Sequence, residues 1–253
     1  MTLLAVERIK LFSTRSPWMC TALAIATVVG LAAIIAGSVE SAQGMNVPVS
    51  QFGYQMGLAV IMVLGALAIT TEYRFSTIRT TFQAVPHRSS VLLAKATVVA
   101  LLAGVIGEIA AFSALGVARL MQPEADLALN SAADWRNVAG VGAVFAIAAV
   151  LAVAVGTMIR HTAGAISLLM IYGLVAEDLV QLIPGVGEDI YKWLPFNVAN
   201  KFLTGNPDTP VGAGEGPPPS NATLSPGWAL AYFAGIAAVL LIAAILSARK
   251  RDA

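Results

Sequence analysis

The chain has 253 residues, of which 58% are hydrophobic and only 11% are charged. A soluble domain of this size would expose more polar surface than such a composition supplies, so the composition indicates an integral membrane protein. The formal net charge of +1, with no basic cluster interleaved with aromatic residues, gives no indication of nucleic-acid binding. The one cysteine, Cys20, lies in an apolar run, so no intrachain disulfide and no metal cluster is predicted.

The N-terminal segment combines apolar and charged residues ahead of the first long apolar run. Val6, Ile9 and Phe12 form a partial apolar stripe among polar neighbours. We expect residues 1–16 to form an interface helix along the inner membrane surface, ended by Pro17; the alternative is a disordered basic tail. The apolar run that follows is too long for the core of a signal peptide, so we interpret it as a retained span.

Six apolar runs are each close to the roughly 20 residues that a bilayer requires. They cover residues 18–38, 52–71, 91–117, 138–159, 163–183 and 227–247. We therefore predict an all-α membrane protein in which one transmembrane domain, residues 1–253, contains six transmembrane helices. Gly53 and Gly57 form a GxxxG pair at the start of the second run, which indicates either a subunit contact or the general abundance of glycine and alanine.

The placement of lysine and arginine predicts the orientation of the spans. With the N-terminus inside, eleven of these residues lie on the inner side and four on the outer side, and the reverse orientation would invert that ratio. The inner residues are Arg8, Lys10, Arg15, Arg74, Arg79, Arg88, Lys95, Arg160, Arg249, Lys250 and Arg251. The outer residues are Arg119, Arg136, Lys192 and Lys201. Both termini are therefore expected in the cytoplasm.

The connection before the sixth run, residues 184–226, is the longest between any two spans. Its first part, PGVGEDIYKWLPFNVANKFLTG, is rich in apolar and aromatic residues and is interrupted by Pro195. This pattern predicts two short helices at the outer interface, where tyrosine and tryptophan are favoured. The second part, NPDTPVGAGEGPPPSNATLSP, is rich in proline, glycine and small polar residues, which predicts a flexible exposed loop.

The segment GALAITTEYRFSTIRTTFQAVPHRSSVLLAK, residues 65–95, changes from apolar to polar and back. At about 100° per residue its polar part has one apolar stripe, which predicts an amphipathic helix over residues 72–88. We place Glu72 in the first turn of this helix, where a carboxylate complements the helix dipole, and Pro86 at its end. The stripe comprises Phe75, Ile78, Phe82 and Val85. Arg74, Arg79, Arg88 and Lys95 make the segment basic.

A basic amphipathic helix between two spans is either an interfacial loop on lipid headgroups or a docking surface for a soluble partner. Connections between neighbouring elements are usually short, so the length of this one favours a docking surface.

Taken together, these elements resemble the permease subunit of ABC type-2 exporters, the membrane half of ATP-binding-cassette transporters. Three stretches carry the resemblance: VERIKLFSTRSPW at the start, the 65–95 segment, and YKWLPFNVANKF before the last span. The 65–95 segment is the most specific. It has a glutamate after the second span, a Thr-Ile-Arg-Thr run, a proline followed by a basic residue, and an Ala-Lys pair at the start of the third span.

The resemblance implies a bacterial plasma-membrane permease that forms an export pathway as a dimer, with a second copy or a similar chain. The helix at 72–88 would be the coupling helix that docks into a separate ATPase subunit, which binds the ATP, so the permease itself would need no cofactor. The implied coupling residues are Glu72, Arg74, Phe75, Ile78, Arg79, Phe82, Val85, Pro86, His87 and Arg88. The chain has no GxxxxGK[ST] run, so we predict that it is not itself an ATPase or another enzyme.

Three acidic residues lie within apolar runs: Glu108, Glu177 and Asp178. An acid in hydrocarbon costs a few kcal/mol, so each should face protein, water or a partner. One alternative is that they line the exit pathway. The other is that they brace the outer short helices or pair with Lys192, Lys201 or backbone donors. Because adjacent side chains cannot point the same way, at most one of Glu177 and Asp178 is expected to face a pathway.

The sequence contains no visible catalytic or metal-binding constellation. His87 and His161 fall in inner connections, and neither accompanies a nucleophile pattern or metal-ligand spacing. We interpret His161 as a solvated turn residue. A membrane-embedded enzyme is therefore poorly supported, whereas a non-transporting anchor or sensor subunit is an alternative to the permease.

The orientation can be tested by thiol labelling in a Cys20→Ser background. Because a membrane-impermeant reagent reaches only one side, Ser76→Cys and Arg249→Cys are expected to react only in inverted vesicles. Gly212→Cys and Ala42→Cys are expected to react in intact cells. Labelling of Gly212→Cys solely from the inside would overturn the orientation.

Overall fold

In a computed structural model, the protein is described over residues 3–39, 44–85, 88–205 and 220–251, and these residues form helices without strands. The helices are α1 (Leu3–Phe12), α2 (Ser16–Ser38), α3 (Val47–Ser50), α4 (Tyr54–Arg74), α5 (Thr77–Ala84), α6 (Arg88–Met121), α7 (Ala132–Ile159), α8 (Thr162–Ile171), α9 (Glu177–Val180), α10 (Gly187–Tyr191), α11 (Pro195–Thr204) and α12 (Pro226–Arg251). A π-helical turn, Tyr172–Ala176, joins α8 to α9.

Six helices in the described residues are long and apolar enough to cross a membrane. They are α2, α4, α6, α7, the continuous α8–α9 segment and α12, and each contains most of one predicted run. The fold is therefore all-helical with six candidate spans, as in a multi-pass membrane protein.

Helix α7 begins before the predicted position 138 because its N-terminus is capped. The Asp134 N–H donates to Ser131 Oγ at 3.1 Å, and the Ser131 N–H donates to Asp134 Oδ2 at 2.9 Å. This reciprocal pair is a capping box, which satisfies backbone donors that the first turn leaves free. The Ser-x-x-Asp spacing of Ser131 and Asp134 in the sequence could have predicted this start of α7.

Helix α7 is the centre of the bundle, since it packs against α4, α6 and α12. Small residues let the neighbouring helices approach closely. The GxxxG pair serves this packing within the chain, because a Cβ on Gly53 would lie 2.9 Å from the Val28 carbonyl oxygen of α2. A Cβ on Gly57 would lie 3.0 Å from the Phe145 ring of α7. The pair is thus accounted for without a subunit contact.

The N-terminal helix presents a different face to the bundle than predicted. Glu7 and Leu11 are buried, whereas Ile9 and Phe12 of the predicted stripe are exposed. The helix also ends before Pro17, which lies in the first turn of α2. Proline suits that position because a first-turn N–H has no acceptor within the helix. The exposed apolar stripe is the face that a bilayer surface would cover.

The amphipathic helix between the second and third spans is shorter than predicted. Helix α4 continues through Glu72, which lies in its last turn, so the placement of this acid in the first turn of the amphipathic helix was wrong. Phe75 and Ser76 separate α4 from α5, and the Ser76 φ of 59° is in the left-handed region. Val85 follows α5 with extended backbone, as expected for a residue before proline.

Two short helices, α10 and α11, precede the last span as predicted, and Pro195 starts the second of them. Part of the predicted flexible loop, residues 206–219, lies outside the described residues, as do Pro86, His87 and the side chain of Arg79.

Candidate functional site

Four charged side chains meet where α1, the last turn of α4 and the first turns of α6 converge; we call them the ion quartet. The Lys95 Nζ lies 2.5 Å from Glu7 Oε2 and 2.8 Å from Glu72 Oε1. The Lys10 Nζ lies 3.2 Å from Glu7 Oε1 and 3.5 Å from Glu72 Oε1. Two cations and two carboxylates therefore alternate and balance one another.

The ion quartet is buried in its centre, with Glu7 3% and Lys95 4% exposed. Charges removed from water must be paired, because an isolated buried charge carries a large desolvation cost. Glu72 needs such pairing for a second reason: it lies at the C-terminal end of α4, where the helix dipole disfavours a carboxylate. The two lysines offset both costs, and they fix α1 to the junction of the second and third spans.

The ion quartet was not predicted from the sequence, although a signal for it was present. Lys95 lies in an apolar run, and a lysine in such a run calls for an acidic partner. Glu7 and Leu11 are spaced i, i+4, so both face the bundle when α1 packs on α6. Nothing in the sequence indicated which acid pairs with which lysine, because the partners lie on three separate helices.

Lys10 extends the ion quartet to α5. Its Nζ donates a hydrogen bond to Thr81 Oγ1 at 3.0 Å. Ile78 of α5 is 4% exposed, so it packs into the protein. Helix α5 is therefore held by an apolar anchor and by a polar contact to the charged cluster.

The predicted coupling residues divide into exposed and packed side chains. Phe75 is 66% exposed, and the Arg74 guanidinium lies 5.5 Å from its ring centroid. Phe82 is half-buried, with the Arg88 guanidinium 5.6 Å from its ring centroid. Val85 is also half-buried. The exposed surface is thus the α4–α5 junction, which is formed by Arg74 and Phe75.

At the other end of α4, the carboxylate of Glu177 caps α11. Both of its oxygens accept the Phe196 N–H at 3.1 Å, and Oε2 accepts the Asn197 N–H at 3.0 Å. These donors lie in the first turn of α11, after Pro195, where a helix has no internal acceptor. Leu194, at the capping position, offers no acceptor side chain. Glu177 is 4% exposed and braces α11 through backbone donors, one of the two roles considered for it.

The neighbouring Asp178 contacts a different short helix from Glu177. It is exposed, and its Oδ1 accepts a hydrogen bond from the Tyr191 hydroxyl of α10 at 3.2 Å. Burial and the Asp178 carboxylate raise the pKa of Tyr191 to about 12. Lys192, a predicted partner of these acids, instead pairs with Asp189, with 2.8 Å between Lys192 Nζ and Asp189 Oδ1.

Glu177 and Asp178 line a polar cavity of about 260 Å³ between α4, α9, α10 and α11. The Tyr54 hydroxyl donates to Asn200 Oδ1 at 2.7 Å beside it. The π-helical turn directly precedes Glu177, and such turns often occur at functional positions in helices.

Glu108 lies apart from these two acids, in an apolar groove of about 680 Å³ between α6 and α7. The bracing role predicted as one alternative is not found for Glu108, because no described residue hydrogen-bonds to or pairs with its carboxylate. His161 is an exposed turn residue whose Nδ1 accepts the Gly164 N–H at 3.1 Å at the start of α8. Among the described residues, no group of three or more His, Cys, Asp or Glu could hold a metal ion.

Comparison with protein-family models, with curated proteins and with solved structures finds no match for this chain. The fold and the site define a helical protein with six candidate membrane spans and a buried charge cluster at one end.

We predict that Lys95→Met lowers the free energy of unfolding by about 3–5 kcal/mol, because it leaves two carboxylates without their shared cation. The measurement is denaturant titration of the detergent-solubilised protein. Glu7→Gln in the same chain should restore part of the loss, since it removes one of those carboxylates. Lys250→Met, at an exposed position, is the matched control and should have little effect. Equal losses in both lysine variants would contradict a structural role for the ion quartet.

We predict that Glu177→Ala exposes the first turn of α11, because the Phe196 and Asn197 N–H groups lose their acceptor. Hydrogen–deuterium exchange should show faster exchange in peptides that contain these two residues. Asp178→Asn is the matched control, since it changes the adjacent acid without touching the cap. Unchanged exchange in Glu177→Ala would show that another group caps α11.

Proposed function

We propose that this chain is the membrane-spanning permease subunit of an ABC type-2 exporter in a bacterial plasma membrane. It would pair with a second permease chain, and a separate ATPase subunit would drive it from the cytoplasmic side, where both termini lie. The observation that carries the proposal is the exposed α4–α5 junction, which is tied to two candidate spans through the ion quartet.

The contacts around this junction provide a mechanical route from a soluble partner into the membrane. Thr81 of α5 is bonded to Lys10, and Lys10 to Glu72 of α4. Glu72 is in turn bonded to Lys95 of α6. Coupling between distant sites requires packed elements that move together, and these charged contacts join α1, α4, α5 and α6. A load on α5 would therefore reach the second and third spans directly.

The α4–α5 junction has the chemistry of a docking surface. An exposed phenylalanine beside an arginine supplies an aromatic anchor and a charge that sets register, both common in the central contacts of protein interfaces. Ile78 has a different role under this proposal. It is packed within the chain, so it holds α5 in place and does not itself enter the ATPase.

The composition of the spans supports a hydrophobic or amphipathic small molecule as the exported substrate. Charged residues make up 11% and aromatic residues 7% of the chain. A polysaccharide pathway would be expected to offer more aromatic stacking surfaces. Transport of a glycan by reconstituted vesicles, without transport of an apolar dye, would contradict this substrate class.

We predict that Phe75→Ala weakens association with the ATPase subunit and lowers substrate-stimulated ATP hydrolysis, because it removes the exposed aromatic anchor. The chain, tagged and expressed in its own host, is purified, and a bound protein carrying a GxxxxGK[ST] sequence is identified by mass spectrometry. Arg74→Glu should weaken the same complex, with a stronger effect at low salt. Both variants should retain the thermal stability of the unmodified chain, since both side chains are exposed.

Phe52→Ala provides the matched control, because Phe52 is an exposed phenylalanine just before the opposite end of α4. It should leave ATPase binding and hydrolysis unchanged. If Phe75→Ala and Arg74→Glu both bind the ATPase subunit and stimulate its hydrolysis normally, the segment between α4 and α6 is only an interfacial loop. The exporter proposal would then lose its main support. Co-purification of a protein without an ATP-binding sequence would favour an anchor or sensor subunit.

A further inference from the structure

The groove between α6 and α7 is lined by small and by larger apolar residues. The small ones include Gly104, Gly142 and Ala146, and the larger ones include Leu101, Val105 and Leu241 of α12. Leu101 is 66% exposed and Val105 56% exposed, so the groove opens on the side of the bundle that a membrane would surround.

Glu108 is the one charged residue among those that line the groove. Its side chain lies against Gly142 of α7, where a Cβ would approach Glu108 Cγ to 2.8 Å. Glu108 is half-buried, and the described residues offer its carboxylate no hydrogen-bond donor and no cation. The groove therefore combines an apolar surface with one unpaired acid.

The depth of Glu108 makes this arrangement costly. At about 1.5 Å per residue, Glu108 lies about 20 Å along α6 from Lys95 and about 16 Å from Arg119. Both distances place it well inside a hydrocarbon layer of about 30 Å. An acid at that depth needs a positively charged or donating partner, and intramembrane acids commonly mark substrate or ion pathways.

Neither a second copy of this chain nor a lipid headgroup supplies that partner. All fifteen lysines and arginines fall at the ends of the apolar runs or outside them, so a second copy presents no cation at the depth of Glu108. Lipid headgroups lie at the surface of the bilayer, and their cationic groups do not reach its centre. A cationic molecule dissolved in the membrane is a partner that can reach that depth.

We propose that the α6–α7 groove binds a lipophilic cation, whose apolar body fills the groove and whose positive centre contacts the Glu108 carboxylate. The groove volume of about 680 Å³ suits a small organic molecule. The assignment of this molecule as cargo rests on the proposed export function and narrows its substrate to amphipathic cations. Binding itself requires no ATPase subunit.

The test measures binding of radiolabelled tetraphenylphosphonium to the purified chain in lipid nanodiscs by equilibrium dialysis. Tetraphenylborate, of similar shape and opposite charge, is measured in parallel. Binding is counted as the excess over empty nanodiscs, because the dipole potential of the bilayer favours partition of the anion into the lipid. By this measure the unmodified chain should bind the cation saturably and the anion at least about tenfold more weakly. Glu108→Gln should weaken cation binding by about tenfold or more, because it removes the charged contact. Glu108→Asp, which keeps the charge, should restore part of the affinity.

Two further variants separate charge from shape and from loss of folding. Glu124→Gln removes an exposed carboxylate outside the spans and should leave binding unchanged. Ala146→Leu fills the groove without changing charge and should weaken binding of the cation and of uncharged triphenylphosphine alike. Glu108→Gln should unfold at the same or a higher temperature than the unmodified chain, because it removes a charge from the apolar groove.

Equal binding of tetraphenylphosphonium and tetraphenylborate, or full cation affinity in Glu108→Gln, would overturn the proposal. A change in oligomeric mass of Glu108→Gln with unchanged cation binding would also overturn it and assign the groove to a second copy. The exporter proposal would survive these results, since it is tested through Phe75. The opposite result is also informative. If cation binding depends on Glu108 but no ATPase subunit co-purifies with the chain, the binding site is supported and the export function is not.

Discussion

The architecture depends on the pairing of charges that are buried beside the membrane spans. Glu7 and Lys95 are almost fully enclosed, and neither could remain charged there without the other. Lys10 and Glu72 complete the ion quartet, so that α1 and the ends of α4 and α6 share one set of contacts. This shared set connects the N-terminal helix and the short connecting helix to the ends of two candidate spans. The proposed coupling to a soluble ATPase uses these contacts.

The three acids of the candidate spans show how the same residue type takes different roles by position. Glu177 is surrounded by backbone donors of α11, so its charge is used to hold the short helix in place. Asp178, one residue later, reaches the surface and contacts Tyr191. Glu108 has no such partner in the described residues and lies in an apolar groove. Of these three acids, only Glu108 therefore has a carboxylate that a bound ligand could pair with.

Small residues shape the bundle by allowing close helix packing. Where α2, α4 and α7 meet, a Cβ on Gly53 or Gly57 would meet a neighbouring helix. Between α6 and α7, a Cβ on Gly107 would lie 2.8 Å from the Gly142 Cα. The groove that contains Glu108 runs along this same closely packed pair of helices.

The sequence alone determined the six apolar runs and the two short helices before the last of them, because length, hydropathy and proline positions are local properties. It also placed a polar helix between the second and third spans, though not its bounds. Only the tertiary structure decided that Glu72 ends α4, that Glu7 turns inward and that both pair with Lys95. A buried charge signals that it needs a partner, but its identity depends on how separate helices pack, and that information is not local in the chain.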